Sequence, residues 1–324
     1  LKAITRHVYG PPALTDLDRP APGPGEALLR VHAACLDHGV WHLGAGLPYP
    51  VRLATGLRRP RSPLLGRDVA GTVEAVGPGV TGLAAGDEVF GVCDGALAEH
   101  AVARADRLVP RPAGLSAEAA AAVPTGGLTA LQALRDHARL RPGQRVLVIG
   151  AGGGVGTFAV QLAKAQGAHV TGVCGPGKGD LVRSLGADEV VDYTRQDPAA
   201  GPGRYDVVLD TAGNRRLRDL RRLLTRRGTL VIVGGENASG RWLHGTGRQL
   251  RATALSPFVR HTLRAPITRT DPADLRHLAG LAATGELTPV VGRTFPLAGF
   301  SDAMDHLRSG HVTGKVVIVM PGRR

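Results

Sequence analysis

Apolar positions along the chain fall into short runs of two kinds. Over the first ~120 residues they make strand-length runs broken by glycine and proline. Leu1-Lys2-Ala3-Ile4-Thr5-Arg6 opens like a strand, 27–33 alternates or runs apolar, and 68–76 and 87–91 follow. Turn residues at Pro20 to Gly25, Gly77-Pro78-Gly79 and Gly86-Asp87 separate these runs. The pattern predicts a β-rich module of irregular connectivity. At Ser116 an N-cap residue precedes an alanine-rich run, which predicts a helix. From Arg145 onward strand and helix patterns alternate: strand 146–149, helix 155–166, strand 169–174, helix 180–185, strands 189–193 and 206–210, helix 215–225, strand 229–233. Such alternation predicts βαβ units and a parallel sheet. The tail returns to mixed character, with a strand at 288–295, a helix at 299–309 and a last strand at 315–319. The segment 257–271 has no readable pattern, and there is no internal repeat. The 324 residues suit two domains.

Composition narrows the class. Apolar residues make up 43%, enough for a buried core, and the formal charge is +13 with an isoelectric point near 10.8. That balance points first to an acidic partner, nucleic acid or an anionic membrane. Only four of the forty cationic residues are lysines, however, and the arginines are spread along the whole chain, as a composition bias would spread them. No stretch approaches the ~18–20 uninterrupted apolar residues of a membrane span. Cys35, Cys93 and Cys174 are far apart, odd in number and outside any C-x-x-C arrangement. This argues against a disulfide framework and a four-cysteine zinc lobe, and predicts a reducing, cytoplasmic compartment. Secreted mini-proteins, membrane proteins and disordered tails are excluded.

Two arginine clusters bear on partners. Arg58-Arg59-Pro60-Arg61 lies in a predicted loop and reads either as solvated surface or as the lining of a substrate entrance that favours an anion. Arg215, Arg216, Arg218, Arg221, Arg222, Arg226 and Arg227 fall on or beside the predicted 215–225 helix. With aromatics at 3% and none among these arginines, a solvated helix face is expected and nucleic-acid binding is not. A protein acting through this basic surface on RNA or a protein partner is the reading of another class.

The clearest chemistry follows strand 146–149: Gly150-Ala151-Gly152-Gly153-Gly154-Val155-Gly156 and then a helix. Glycines let backbone turn tightly and approach a pyrophosphate, whose charge then rests on free N–H groups of the helix. The spacing departs from strict G-x-G-x-x-G, but strand, turn and helix come in the required order. Gly152, Gly153, Gly154 and Val155 are therefore expected at the cofactor. An acid at the end of the next strand would hold the ribose 2′-hydroxyl of NAD; here stand Cys174-Gly175-Pro176-Gly177-Lys178. Lys178 reads either as the partner of a 2′-phosphate or as a solvated loop lysine. The first favours NADPH over NADH, while Asp180 nearby keeps NADH open.

Five motifs in order carry a resemblance to the medium-chain dehydrogenase/reductase superfamily, and within it to the zinc-free quinone oxidoreductase-like branch. They are Leu65-Gly66-Arg67-Asp68-Val69-Ala70-Gly71 with Val73 to Gly77, Gly86-Asp87-Glu88-Val89-Phe90-Gly91, Gly153-Gly154-Val155-Gly156, Leu185-Gly186-Ala187-Asp188, and Gly314-Lys315-Val316-Val317. The resemblance implies an α/β chain: a GroES-like β-rich catalytic domain from 1–124 and 290–324, and a Rossmann doubly wound parallel sheet domain from 125–289. Zinc alcohol dehydrogenases of the superfamily carry Cys where this chain has Asp37, Gly-His-Glu where it has Gly66-Arg67-Asp68, and Cys or Asp near Thr125. A catalytic zinc needs three Cys, His or carboxylate ligands, so no metal is expected. Without a Lewis acid, reduction of a quinone or α,β-unsaturated carbonyl (enone) by NADPH is the implied activity, with charge on the acceptor oxygen met by hydrogen bonds. Carbonyl or alcohol oxidoreduction, or a specialised reaction in the same pocket, is the enzymatic alternative.

The resemblance also implies residue roles. Thr125 matches a nicotinamide contact, or is an N-cap. Tyr193 matches a tyrosine near the adenine or 2′-phosphate, or is a core tyrosine. Gly234 and Gly235 admit backbone to the nicotinamide side, or cap a strand. Gly314-Lys315 matches a Gly-Lys turn near the cofactor, although Thr313 stands where an arginine often precedes it. Asp37 and His38 occupy the equivalent of the metal-ligand loop, where His38 reads as a proton relay or a structural residue. Tyr49 reads as a phenolic donor or a surface residue. Homodimerisation rests on the resemblance alone.

Overall fold

The computed structural model describes residues 1–200, 204–234 and 246–321. Two compact units emerge: Leu1–Leu128 with Thr270–Gly285 and Pro289–Arg324, and Thr129–Arg269 with Glu286–Thr288. Helix Pro272–Ala283 belongs to the first unit, where an uninterrupted 125–289 span assigns it to the second. It packs on strand Leu108–Pro110, and Leu278 meets the backbone at Gly127 so closely that an added methyl there would stand 3.0 Å from Leu278 Cδ1.

The first unit is built on a seven-stranded sheet. Its path runs Val291–Pro296, Lys315–Val319, Glu26–Leu36, Asp68–Val76, Glu88–Val92 and Leu108–Pro110, with His100–Arg104 on the other flank of Glu26–Leu36. All these pairs are antiparallel except Val291–Pro296 with Lys315–Val319. Leu29, Val31, Val69, Val89, Leu97, Val316 and Ile318 fill its core. Ser116 caps the predicted alanine-rich helix: its Oγ accepts from the Ala119 N–H at 3.2 Å, and the helix runs Ala117–Ala122.

The second unit holds a six-stranded, all-parallel sheet. Counted along the chain, Arg145–Ile149, His169–Cys174, Glu189–Asp192, Tyr205–Asp210, Leu224–Ile232 and Thr262–Arg264 lie in the spatial order 3-2-1-4-5-6. This is the doubly wound order, whose switch point lies between the first and fourth strands. Val146 to Ile149 is buried throughout because helices cover both faces of such a sheet. Helix Gly156–Ala165 is buried from Gly156 through Ala163.

The basic helix differs from expectation. It spans only Leu217–Arg222, and Arg226 and Arg227 lie on strand Leu224–Ile232. Buried Leu224 pairs with Tyr205, so the strand starts early and bulges past the two exposed arginines. Within 257–271 the structure has a 3₁₀ turn, Ser256–Phe258, and the sheet's edge strand Thr262–Arg264. No helix among the described residues is long and apolar enough to cross a membrane.

Candidate active site

In the first unit, strand register brings a polar cluster into the core. Antiparallel pairing sets Cys35 opposite both Asp68 and Val317, and Val316 opposite Leu36, with Lys315 one residue further. Asp68 is fully buried. One of its oxygens accepts from the Thr125 hydroxyl at 2.5 Å, and the other from the Thr125 N–H at 3.1 Å. Lys315 Nζ lies 3.9 Å from that second oxygen and is itself buried. Thr125 is the second residue of helix Pro124–Gln132, so its N–H has no partner within the helix. Asp68 supplies that partner from a neighbouring strand, at the helix end whose dipole favours a carboxylate.

Charge states follow from this packing. Burial raises the Asp68 carboxyl to about 6, against the opposing pull of Lys315 and Thr125. Burial also works against the Lys315 ammonium, but Cys35, Asp68 and Asp37 outweigh it and hold its pKa above the ordinary lysine value. The Cys35 thiol is pushed up to about 12 by burial, and its Sγ donates to the Val316 carbonyl at 3.3 Å. The cluster is thus a buried ammonium and carboxylate beside a neutral thiol. Gly314 is indispensable to it: φ is +56°, and an added methyl would lie 2.3 Å from the Val290 carbonyl oxygen.

Thr125 is therefore no N-cap; it stands inside its helix with the hydroxyl turned onto Asp68. Asp37 is the N-cap of helix His38–Ala45, accepting from the Val40 N–H at 3.0 Å, while its charge still acts on Asp68, Lys315 and Cys35. His38 opens that helix and is half-buried. Tyr49 is not part of this group: the Arg52 guanidinium lies over its ring at 4.9 Å, and over that of Tyr9 at 4.3 Å. Arg67 is exposed beside Asp68. Among the described residues no group of three or more His, Cys, Asp or Glu side chains is arranged to hold a metal ion.

In the second unit the glycine turn joins the first strand to helix Gly156–Ala165. Gly150 has φ +84°, and its carbonyl accepts from the Gly153 N–H at 3.0 Å. A methyl on Gly156 would stand 2.0 Å from that same carbonyl, whereas one on Gly153 meets only a 3.3 Å contact. Gly156 thus serves close strand–helix packing, and Gly153 leaves room in front of the turn. Gly154 and Val155 follow as turn and N-cap position, and no side chain caps this helix end.

Around the turn stand the carboxyl ends of the neighbouring strands. Cys174 is buried at the end of the second. The Lys178 stem lies over Gly152, with Cδ 2.9 Å from where a methyl would be, and burial lowers its pKa. Tyr193 is no core residue: it is 47% exposed, and its hydroxyl approaches Gly175. Asp180 is fully exposed and bonded to Arg183 at 2.9 Å. Gly234 allows its chain to pass Thr211, since an added methyl would lie 2.2 Å from the Thr211 carbonyl oxygen. Gly235 lies outside the described residues.

Sequence reasoning missed a second buried pair here. Asp210, at the end of the fourth strand, is fully buried 2.7 Å from Arg248, whose guanidinium also donates to the Gly234 and Arg215 carbonyls, both at 2.8 Å. Burial pushes the Asp210 carboxyl up while Arg248 pulls it down. An acid closing the apolar run 207–209 was a readable signal; Arg248, 38 positions away in sequence, carried none. Asp68 was likewise visible only as a vacated metal-site position.

Known proteins share this organisation. A family model described as alcohol dehydrogenase GroES-like domain matches residues 23–113, and one described as zinc-binding dehydrogenase matches 185–318. A chloroplast envelope quinone oxidoreductase homolog of Arabidopsis thaliana is 35% identical, covering 92% of this chain and 91% of its own. The mitochondrial NAD(P)H oxidoreductase RTN4IP1 of Mus musculus is 31% identical, over 91% and 82% respectively. The solved quinone oxidoreductase of Coxiella burnetii superposes with a TM-score of 0.86 at 28% identity, over 99% of both chains.

Proposed function

Because the chain belongs to the medium-chain dehydrogenase/reductase superfamily, in its quinone oxidoreductase-like branch, and is an NAD(P)H-dependent reductase, we propose that it uses NADPH to reduce a quinone or enone without zinc. The observation that carries the metal-free reading is the Asp68–Thr125–Lys315 cluster. A catalytic zinc requires three ligating side chains around an open position. Here Asp68 is committed to Thr125 and Lys315, Asp37 caps a helix, and the neighbouring Arg67 is an exposed cation that supplies no ligand. The donor set does not fit zinc.

The second unit fits a dinucleotide. Gly152, Gly153, Gly154 and Val155 would hold the pyrophosphate at the uncapped helix end. Lys178 and Tyr193 flank the end of the second strand, where an acid is absent, and would hold a 2′-phosphate. Gly234, fixed by Arg248, would face the nicotinamide. Bound NADPH supplies the hydride. The chain's own work is to fix the acceptor, keep Thr125 oriented through Asp68 and deliver a proton to the reduced oxygen. His38, at the start of its helix, is the donor we assign to that proton. The three buried free thiols support a reducing, cytoplasmic setting.

The test joins three measurements: NADPH and NADH titrations by nucleotide fluorescence, metal analysis of the purified protein, and NADPH oxidation against a panel of quinones and enones. Tighter binding of NADPH, no stoichiometric zinc and turnover of a panel member are expected. Failure to bind either nucleotide overturns the reading. Stoichiometric zinc with activity abolished by chelation overturns its metal-free part.

A further inference from the structure

The arginines of helix Leu217–Arg222 are largely solvent-exposed, Arg218 and Arg222 most of all, and they border a shallow, open depression. Arg218, Arg221 and Arg222 share one helix face, and with Arg204, Leu224 and His261 they line this open cavity of about 390 Å³. Three consecutive strands build its floor from their amino ends. Arg204 precedes Tyr205–Asp210, Leu224 opens Leu224–Ile232, and His261 precedes Thr262–Arg264. The glycine turn, Cys174 and Asp210 lie at the carboxyl ends of the same parallel sheet. The cavity is therefore on the opposite edge from the dinucleotide residues, roughly 20 Å away by the rise of a six-residue strand.

Its chemistry is one-sided. Among the described residues, four guanidinium groups and an imidazole line it, and no carboxylate does. Asp219 is the acid that meets these arginines, 3.5 Å from Arg218 Nε and 3.7 Å from Arg222 Nη1, so one carboxylate answers two cations. Arg221 Nε and His261 Nδ1 are buried without a hydrogen-bond partner. Buried polar atoms of native proteins are almost always satisfied, and leaving one unmade costs about 1–3 kcal/mol. Burial, Arg221 and Arg204 disfavour a proton on His261, against a hydrogen bond to the Thr225 backbone that favours it, and an anion among these cations would tip the balance toward the proton.

We propose that this cavity is a second ligand site, for a small, multiply charged anion bearing phosphoryl groups. Several convergent guanidinium forks match phosphoryl oxygens, whereas a single carboxylate would satisfy only one of them. Among the described residues the lining has no Phe, Tyr or Trp on which a base would stack, which favours a phosphoryl anion over a nucleic-acid strand.

Inorganic pyrophosphate is the probe, titrated calorimetrically into the full chain with and without saturating NADPH, at ionic strength held constant with sodium chloride. Saturable one-to-one binding that persists with NADPH present is expected. The variant pair Arg204→Gln/Arg218→Gln, both exposed positions, should weaken it at least tenfold while leaving NADPH affinity and the melting temperature unchanged. Arg221→Lys, which keeps the charge but removes the buried Nε, should weaken it as well. Heat no larger than that of a chloride control, full competition by NADPH, or undiminished binding in the double variant overturns the proposal. Tighter, salt-steep binding of a single-stranded RNA overturns the small-anion assignment.

Discussion

Lys315 and Asp68 are each buried by a strand that had to place something at that register, and each is tolerable only because of the other. Lys315→Met leaves the Asp68 carboxylate without its cation, which should cost about 3–5 kcal/mol in urea denaturation. Adding Asp68→Leu to that variant should restore a substantial part, because removing both charges is far cheaper than stranding one. The glycine turn allows an equally local test. Gly153→Asp meets one backbone oxygen at 3.3 Å, so its carboxylate should abolish nucleotide binding with only a small fall in melting temperature; Gly156→Ala meets backbone at 2.0 Å and should lower both markedly. Lys178→Ser should shift the NADPH/NADH preference toward NADH by about tenfold, or ~1.4 kcal/mol. At this scale the sequence was legible where chemistry is local. Glycines and Lys178 announce themselves by spacing, whereas the partnership of Asp68 with Lys315 depends on a register between strands 247 positions apart.

Elements were legible in proportion to their periodicity. The strands at 146–149, 169–174, 189–193 and 206–210 match the structure closely, the central ones because a sheet covered on both faces needs continuous apolar runs, whereas 229–233 covers only the later part of Leu224–Ile232. Elements without that demand escaped notice: Ala13–Asp16, the short helices His38–Ala45 and Val51–Thr55, Leu108–Pro110 and Pro272–Ala283. The last carries an unmistakable start signal, Asp271-Pro272, and the Asp271 carboxylate accepts from the Ala273 N–H at 2.8 Å. Replacing Asp271 by Ala should therefore destabilise the protein by about 1 kcal/mol, read from the denaturation midpoint, with nucleotide affinity unchanged.

Across the whole molecule the +13 charge is less free than composition suggests. Arg19, Arg30, Arg104, Arg111, Arg135, Arg183, Arg215 and Arg248 all meet carboxylates, and the depression by Arg221 is one place among the described residues where cations gather in excess. Stability should depend on pH through buried imidazoles. Burial lowers His32, His137 and His261 below the ordinary value of 6.5. Through these three groups the unfolded chain binds more protons than the folded one below pH 6.5, so their contribution is complete above that value and is lost as pH falls below it, while Asp68, raised to about 6, works the opposite way. The stability change from pH 7.5 to 5.0, read from urea midpoints, should therefore be less unfavourable in His32→Gln than in the parent; an equal or larger acid loss in the variant would contradict the assignment.

Gln161 donates to the Thr157 and Thr288 carbonyls and accepts from the Thr288 N–H, so its amide is fully occupied at the price of a distant segment. Glu286–Thr288 is in this way stitched to helix Gly156–Ala165 after the chain has left the second unit at Arg269. A nucleotide-binding module cut out as 129–269 would expose an apolar helix flank and orphan that amide. A chimera that exchanges cofactor modules between relatives must carry the three-residue return segment with it, or accept a Rossmann unit lacking one of its own fastenings.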